Sequence, residues 1–248
     1  MSIADNANIL DLDMGNTRIK WRLTEDGNVS HGFFQSKNGG LAKGFEGFSS
    51  ALNRVRLSSV VHGKPLQELT RLCRERWQLD IEVARVEDFC AGVTQVYQHK
   101  EKLGVDRWLG MLAAFNQIGD CVLLSCGSAV TVDVLVNHGQ HQGGYIVPGL
   151  QMMLDSLYQG TDAVKVAAEH KLTDLLPGRD TESAVNKGIV LMVKGLVEQA
   201  SDFYRSKTGV QPKILITGGD GETVQQFLSA ETIYNPYLVL DGLALALP

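Results

Sequence analysis

The chain contains 248 residues, of which 44% are hydrophobic and 21% are charged, and its formal net charge is −5. This composition is typical of a globular protein, and the small negative charge gives no general attraction to nucleic acid or to an anionic membrane. No segment approaches the roughly 20 apolar residues of a membrane-spanning helix, and residues 1–7 lack the basic and apolar regions of a signal peptide. We therefore expect a cytoplasmic protein without nucleic-acid or membrane partners.

The cysteines and histidines do not form an evident metal-binding pattern. The four cysteines include no C-x-x-C pair, so we expect reduced thiols in or near the core. His138 and His141 flank Gly139 in a polar turn between two strand-like segments. A solvated loop explains these two histidines more simply than a metal centre does.

The first predicted structure is a strand, a tight turn and a second strand within residues 9–21. Alternating leucines lead to Asp13, and the turn contains Gly15, which lets the backbone approach a ligand closely. A carboxylate beside such a turn would repel phosphate directly, so holding a hydrated Mg²⁺ is the role that suits it. An ordinary hairpin explains the same pattern, and this segment alone does not decide between the two interpretations.

Strands and helices then alternate along the chain. We predict strands at residues 29–35, 54–62 and 81–86, with an amphipathic helix between the second and the third. The apolar residues that recur at helical spacing are Leu66, Leu69, Cys73 and Trp77. This order predicts a mixed sheet covered by helices.

A polar stretch at residues 92–103 precedes the next helix, which the spacing of Trp108, Met111 and Phe115 predicts. Asp106 lies at the start of this helix. An N-cap is a common role for aspartate, and a catalytic role is compatible with the same position.

Residues 121–136 resemble the opening segment, with Ser125 in the place of Asp13 (125 − 13 = 112) and Gly127 in the place of Gly15. A separation close to half the chain suggests an internal duplication. We therefore predict an α/β protein with two similar halves, residues 1–116 and 117–248, around a cleft. Short apolar hairpins can also resemble each other by chance.

The last part of the chain continues the alternation. We predict a strand at residues 143–149, a helix from residue 150, a long helix from about residue 180 and a strand at residues 213–217. A short helix containing Val224, Phe227 and Leu228 follows, and residues 237–246 form a terminal helix.

Three glycine turns follow apolar strands, at Gly15, Gly127 and Gly218-Gly219. Two of them could face a polyphosphate from opposite halves, and the third could admit a flat adenine against bare backbone. Together with carboxylates at Asp13, Asp106 and Asp133, they favour a nucleotide-dependent phosphotransferase. Walker A, G-x-G-x-x-G, protein-kinase and G-x-S-x-G patterns are all missing from the sequence.

The motifs as a set resemble those of type III pantothenate kinases, in register over nearly the whole chain. The motifs begin at Asp13 (DMGNT), Gly104 (GVDR), Gly127 (GSA), Gly143 (GGYIVPG) and Thr217 (TGG), with a separate Thr181. The resemblance implies a duplicated ribonuclease H-like fold of the acetate and sugar kinase/actin-like ATPase superfamily. It also implies a homodimer that uses ATP to phosphorylate pantothenate to 4′-phosphopantothenate, the first step of coenzyme A biosynthesis.

The resemblance also assigns roles to residues. Asp106 would be the general base that takes the proton from the primary hydroxyl of pantothenate, and Asp13 would lie near Mg²⁺. The residues expected to hold pantothenate are Tyr97, Gly104, Val105, Arg107 and Thr181, the last across the dimer. Those expected to bind ATP are Asp13, Met14, Gly15, Asn16, Thr17, Arg18, Ile19, Lys20, Gly127, Ser128, Gly218 and Gly219.

Ser125 departs from the family pattern. The family normally has an aspartate at this position, where it helps to bind a monovalent cation such as K⁺ or NH₄⁺. The neutral hydroxyl is compatible with drift at a tolerant position, with lost cation dependence or with reduced catalysis. We expect a working enzyme that is nearly insensitive to these cations, because Asp13, Asp106, Arg107 and Thr181 remain.

Two other functions are compatible with the same sequence. Relatives of the family include the Bvg accessory factor, named for a role in transcription, so a catalytically weakened or non-catalytic regulator is one alternative. The sequence shows neither a basic patch nor a helix-turn-helix pattern that would support DNA binding. A kinase of the same superfamily acting on another small hydroxy compound is the other alternative.

Overall fold

The computed structural model describes residues 8–35, 44–48, 51–160 and 172–248. The chain divides into two compact units. Unit 1 comprises Met1–Ala91, Tyr97–Ala113 and Tyr237–Pro248, and unit 2 comprises Gly92–Val96 and Ala114–Pro236. The division of the sequence between residues 116 and 117 stays a prediction, because compact units follow contacts rather than ancestry.

The secondary structure follows the predicted alternation. The strands are β1 (Ile9–Met14), β2 (Arg18–Glu25), β3 (Asn28–Gln35), β4 (Arg54–Ser59), β5 (Ile81–Val83), β6 (Phe89–Cys90), β7 (Val93–Thr94), β8 (Cys121–Cys126), β9 (Ala129–Val136), β10 (Gln140–Pro148), β11 (Ile214–Thr217) and β12 (Thr232–Tyr234). The helices are α1 (Lys64–Trp77), α2 (Val105–Ile118), α3 (Leu150–Gly160), α4 (Thr181–Thr208), α5 (Gly221–Gln225) and α6 (Leu238–Ala246), with a 3₁₀ turn at Lys100–Lys102.

The two units contain sheets with the same topology. In unit 1 the strand order is β3-β2-β1-β4-β5, with antiparallel pairing among the first three strands and parallel pairing among β1, β4 and β5. In unit 2, β10-β9-β8-β11-β12 repeat this order and these directions, and β7 pairs with the outer side of β10. The repeat confirms the predicted α/β fold built from two ribonuclease H-like units.

The central strands are buried on both faces, so their polar side chains are buried as well, including Asp11 of β1 and Ser58 of β4. Leu10, Leu12 and Met14 of β1 are fully buried, and β8 and β9 are almost entirely buried. Edge strand β3 is instead mostly exposed, including the apolar residues Val29 and Phe33. Helix α4 buries one stripe at helical spacing, so it packs against its sheet along one face.

Helix α6 belongs to unit 1 although it follows unit 2 in the chain. The buried Asp11 carboxylate accepts hydrogen bonds from Arg56 Nε at 2.6 Å and Arg22 Nη2 at 2.8 Å. Arg22 also donates to Asp241 at 2.6 Å, and Arg56 donates to the Leu247 carbonyl at 2.8 Å. The two arginines therefore fasten the C-terminal segment to β1 through charge-assisted hydrogen bonds.

Several element ends differ from the predictions. Strand β5 is shorter than predicted, because its pairing with β4 ends at Val83 and the Ala84 N–H makes the last hydrogen bond, to Leu57. Helix α5 ends at Gln225, because the following turns are closed by tighter i→i+3 hydrogen bonds from Phe227 and Leu228.

The prediction of a solvated loop around His141 is wrong. Strand β10 begins at Gln140, so His141 points into unit 2, where the residue is 2% exposed. Its Nε2 atom lies 3.0 Å from the fully buried Asp133 carboxylate on the neighbouring strand β9. A buried carboxylate requires such a partner, so this pair belongs to the core of the sheet.

The cysteines are free, as predicted. Burial raises the pKa of Cys73, Cys121 and Cys126 to about 12, so these thiols stay protonated and unreactive at neutral pH. Within the described residues, no helix has the length and apolarity that crossing a membrane requires.

Candidate active site

The glycine turn between β1 and β2 places Asp13 between two polar neighbours. The Gly15 N–H donates to the Arg18 carbonyl at 3.1 Å and closes the turn. In register, Asp13 pairs with Lys20 on the antiparallel strand β2 and with the buried Ser58 on the parallel strand β4. A carboxylate, an ammonium group and a hydroxyl therefore come together at the end of β1.

The predicted nucleotide residues around this turn have different surroundings. Asn16, Thr17 and Arg18 are exposed at the turn, and the Arg18 guanidinium carbon lies 4.8 Å from the centre of the Phe33 ring. Met14 and Ile19 are fully buried in the core. Their side chains therefore cannot contact a nucleotide, and only their backbone groups can do so.

The structure brings Asp13 and Asp106 within electrostatic reach of each other. Burial, followed by repulsion from the Asp106 carboxylate, raises the pKa of Asp13 to about 6. The charge of Lys20 opposes this rise. Burial also lowers the pKa of Lys20, and the Asp13 carboxylate counteracts that change. Two carboxylates and one lysine from three separate segments thus form one charged cluster in unit 1.

Asp106 is a first-turn residue of α2 and is not its N-cap. The helix begins at Val105, and the Gly104 carbonyl accepts the first helical hydrogen bond from the Trp108 N–H at 3.0 Å. Gly104, Val105 and Asp106 are all half-buried. The Asp106 carboxylate is therefore available for a role other than capping.

Arg107 lies beside Asp106 and is held by Tyr97. Arg107 is 6% exposed, and its Nη1 atom donates to the Tyr97 hydroxyl at 2.9 Å. The guanidinium carbon is also 5.7 Å from the centre of the Tyr97 ring. A guanidinium oriented in this way is suited to bind a carboxylate through two parallel hydrogen bonds.

The carboxylates of unit 1 fit a magnesium ion. Mg²⁺ is usually bound by one or two carboxylates together with substrate phosphates and water. Asp13 and Asp106 repel each other, so a divalent cation between them would relieve an unfavourable interaction. In the part of the chain that the structure describes, no cluster of three or more metal-ligating side chains occurs.

In unit 2, the equivalent glycine turn is packed closely against other backbone segments. The Gly127 N–H donates to the Ala129 carbonyl at 3.0 Å, and the Gly149 N–H donates to the Ser128 carbonyl at 3.1 Å. A Cβ atom on Gly149 would lie 2.3 Å from the Gly127 carbonyl oxygen. Gly149 therefore supports a turn at which Gly127 and Ser128 are exposed.

The Gly218-Gly219 turn reaches the end of the same strand, β8. Gly218 has a φ angle of +94°, and a Cβ atom there would lie 2.1 Å from the Cys126 carbonyl oxygen. Gly219 is exposed and has open space around it. Tyr234 holds the turn by donating its hydroxyl to the Gly218 carbonyl at 2.9 Å. The two predicted glycine turns of unit 2 therefore converge at one strand end.

Ser125 has hydroxyl neighbours on both sides. It pairs in register with Thr131 on β9 and with Thr217 on β11, and both threonines are buried. The equivalent positions around Asp13 carry a lysine and a serine. The duplication has thus produced a charged cluster in unit 1 and a neutral set of hydroxyls in unit 2.

Two other residues named from the sequence lie elsewhere. Thr181 is the exposed first residue of α4, directly after the N-cap Asp180, whose carboxylate accepts a hydrogen bond from the Ser183 N–H. Asp133 was expected among the functional carboxylates, and this expectation is wrong because its carboxylate is fully buried against His141. Sequence reasoning did not single out Ser58 or Tyr234, whose roles depend on pairing and packing between distant segments.

Comparison with known proteins identifies the family of this chain. Residues 9–202 match the family described as type III pantothenate kinase. The type III pantothenate kinase of Chromohalobacter salexigens is 35% identical over 97% of this chain and 87% of its own length. The enzyme of the same name from Pseudomonas fluorescens is 36% identical over 97% of this chain and 99% of its own length.

Two solved structures share the fold. A Campylobacter jejuni protein described as a Baf family transcriptional activator aligns with a TM-score of 0.64 and 21% identity over 95% of each chain. A Sinorhizobium meliloti protein described as a 2-dehydro-3-deoxygalactonokinase aligns with a TM-score of 0.57 and 12% identity over 96% of this chain and 95% of its own. At these identities the likeness concerns the fold alone. Together with the family match and the similar sequences, it leads to one conclusion: the chain belongs to the type III pantothenate kinase family.

Proposed function

We propose that this chain uses ATP to phosphorylate pantothenate, giving 4′-phosphopantothenate in the first step of coenzyme A biosynthesis. The observation that carries the proposal is the pairing of Asp13, at the glycine turn of β1, with Asp106, at the start of α2. In this proposal, Asp13 belongs to the turn that binds phosphate, and Asp106 belongs to the GVDR motif that binds pantothenate. Membership of the family makes pantothenate the first substrate to test.

Asp106 acts as the general base in this proposal. It takes the proton from the primary hydroxyl of pantothenate while that oxygen attacks the γ-phosphorus of ATP, and ADP leaves. Arg107, oriented by Tyr97, binds the pantothenate carboxylate. Val105, half-buried at the start of α2, lines the same substrate site.

The glycine turns hold the nucleotide. In unit 1, the backbone of residues 13–20 and the Lys20 ammonium group are suited to bind phosphate, and in unit 2, the exposed Gly127 and Ser128 are suited to the same task. The exposed Gly219, beside the rigid Gly218, offers bare backbone to the adenine. Asp13 would hold Mg²⁺, and the ion would then supply charge neutralisation for the transferring phosphoryl group.

We infer that the enzyme works without a monovalent cation. Ser125, Thr131 and Thr217 offer neutral hydroxyl oxygens at the position where a carboxylate would attract K⁺. A cation there would lose hydration without gaining a counter-charge, so binding would be weak.

We also propose a homodimer, formed through exposed apolar residues of unit 2. These residues lie on β10, on α3 and on α4, and the two helices are in contact. They are Tyr145, Ile146, Met152, Leu157, Tyr158, Leu191 and Met192. A second copy of the chain is the partner that the family resemblance implies, and the dimer would bring Thr181 at the start of α4 to a shared pantothenate site. We place the enzyme in the cytoplasm, where its co-substrate ATP is available.

The proposal is tested by measuring ADP release from ATP with and without pantothenate, with the product identified by mass spectrometry. We expect ADP release that requires pantothenate and produces a phosphorylated pantothenate in equal amount. ADP release that is unaffected by pantothenate, or none under any condition in the folded protein, would contradict the proposal.

A further inference from the structure

We propose that Gly104 is a positioning residue for the catalytic base: its missing side chain leaves the space that the Asp106 carboxylate occupies. This inference rests on the proposed function, because it concerns how the base is placed for proton abstraction. It replaces a direct contact between Gly104 and pantothenate with an indirect role.

The geometry around Gly104 carries the inference. A Cβ atom built on Gly104 would lie 2.6 Å from Asp106 Oδ1 and 3.8 Å from Arg107 Cδ. The first distance is shorter than real Cβ contacts, whereas the second is an ordinary van der Waals contact. The Asp106 carboxylate is thus folded back over the glycine, and any side chain at residue 104 would displace it.

Other common reasons for a glycine do not apply at this position. Gly104 does not have a positive φ angle, so other residues can adopt its backbone conformation. It occupies the N-cap position of α2, where serine or aspartate would cap the helix at least as well. Space for the neighbouring carboxylate is the remaining requirement.

The position of the Asp106 carboxylate depends strongly on this space. Asp106 Oδ1 is the atom that a side chain at residue 104 would meet first, at 2.6 Å. The colliding atom is the end of a flexible side chain, so a substitution at residue 104 can be accommodated by rotating Asp106 without moving the backbone. Such a substitution should therefore damage catalysis much more than folding.

The expected effect follows from the displacement. A Cβ atom at residue 104 would lie 2.6 Å from Asp106 Oδ1, and an ordinary contact requires 3.4 Å or more. The carboxylate must therefore move away from residue 104. A general base must lie within hydrogen-bonding reach of the proton that it takes, and a misplacement of about 1 Å costs about 100-fold in rate. We expect kcat to fall by about this factor while the KM values for pantothenate and ATP stay unchanged.

The test compares kcat and KM for wild type, Gly104→Ala and Gly104→Ser. Serine restores a good N-cap but also introduces a Cβ atom, so it separates positioning from helix capping. Both variants should lose kcat similarly. Gly47→Ala serves as the control, because Gly47 has open space around it in the same unit and should keep full activity.

The second test adds Gly104→Ala to the Asp106→Ala variant and measures the residual kcat. Asp106→Ala removes both the base and the colliding atom, so adding Gly104→Ala should cause no further loss of the residual kcat. An equal further loss would show a merely structural role and overturn the inference. A raised KM for pantothenate with unchanged kcat would also overturn it, in favour of direct substrate contact.

Failure of the proposed function gives a different result. If wild type shows no pantothenate-dependent ADP release, the proposed function fails, and crystal structures of wild type and Gly104→Ala then decide only whether residue 104 places the Asp106 side chain. A rotated Asp106 side chain with an unchanged α2 backbone would support the inference. An Asp106 side chain that keeps its orientation would overturn it.

Discussion

Ionisation of the Asp13 carboxylate lowers the stability of the folded protein. Its folded-state pKa is about 6, above the ordinary value of 3.8, because of burial and the nearby Asp106 charge. The folded protein therefore binds this proton more tightly than the unfolded chain does. The resulting stabilisation is fully present below pH 3.8 and is lost as the pH rises through about 6.

Asp13→Asn should consequently raise the free energy of unfolding at pH 8 relative to wild type, and less so at pH 5. From the two pKa values, the advantage should shrink by about 1.4 kcal/mol between pH 8 and pH 5. Urea unfolding in the absence of ATP and divalent cations measures this difference. Asp80→Asn, which alters an exposed ion pair with Arg74, is the control and should show no such pH dependence. A pH-independent advantage of Asp13→Asn would refute the prediction.

Ser125 should make turnover insensitive to the monovalent cation. Replacing Na⁺ by K⁺ or NH₄⁺ should change kcat by less than about twofold, because the hydroxyls around Ser125 carry no charge to hold the ion. Ser125→Asp should introduce activation by K⁺. Loss of wild-type activity on removal of K⁺ and NH₄⁺ would contradict this prediction.

The roles of some single residues could be predicted from the sequence, whereas the roles of others could not. Asp13 and Asp106 stand beside turn and helix-start patterns, so they could be singled out before any contacts were known. Asp133 and His141 could not be interpreted in the same way, because their pairing depends on which faces of β9 and β10 point inward. A change of register by one residue would reverse those faces.

At the scale of elements, the Gly218-Gly219 turn offers a matched pair of substitutions. Gly218→Ala should destabilise the protein by about 3 kcal/mol, because the φ angle is positive and the new Cβ atom would collide with the Cys126 backbone. Gly219→Ala should change the free energy of unfolding by less than about 1 kcal/mol, since its surroundings are open. It should nevertheless raise the KM for ATP if adenine lies against this backbone.

Urea unfolding and ATP-dependent kinetics of the two variants test this contrast. Equal destabilisation by both substitutions would contradict the assignment of Gly218 as the packed residue of the turn. An unchanged KM for ATP in Gly219→Ala would argue against adenine binding at the turn.

The existence and type of most elements could be predicted from apolar periodicity, whereas the short strands β6, β7 and β12 and some element ends could not. Apolar runs identify the strands of both sheets, and a stripe at helical spacing identifies α4. The ends of β5 and α5 depend on the last hydrogen bonds of Ala84 and on tight turns after Val224. Such bonds leave no pattern in the sequence.

At the scale of the whole molecule, the duplication was visible in the sequence because Ser125 repeats the position of Asp13 in a strand of equal length. The return of α6 to unit 1 was not visible. Its attachment depends on Arg22 and Arg56, which reach it from strands more than 180 residues earlier in the chain. Only the folded contacts reveal which sheet such a helix covers.

The proposed homodimer predicts a mass of twice 27.1 kDa in solution. Met192→Glu should shift the protein towards the monomer and raise the KM for pantothenate, because Met192 is exposed on α4, the helix that begins with Thr181. Sedimentation measures the mass. Val210→Glu is the control, since Val210 is similarly exposed but lies beyond the end of α4. A monomeric wild type, or equal effects of the two substitutions, would contradict the proposed interface.

The most direct test of the proposed reaction centre is pantothenate-dependent ADP release by Asp106→Asn beside Asp80→Asn. Both variants lose one carboxylate of unit 1, but only the first loses the proposed base. We expect kcat to fall by about 100- to 10,000-fold in Asp106→Asn, with its folding intact, and to stay at the wild-type value in Asp80→Asn. Full activity of Asp106→Asn would contradict the assignment of Asp106 as the base that activates pantothenate.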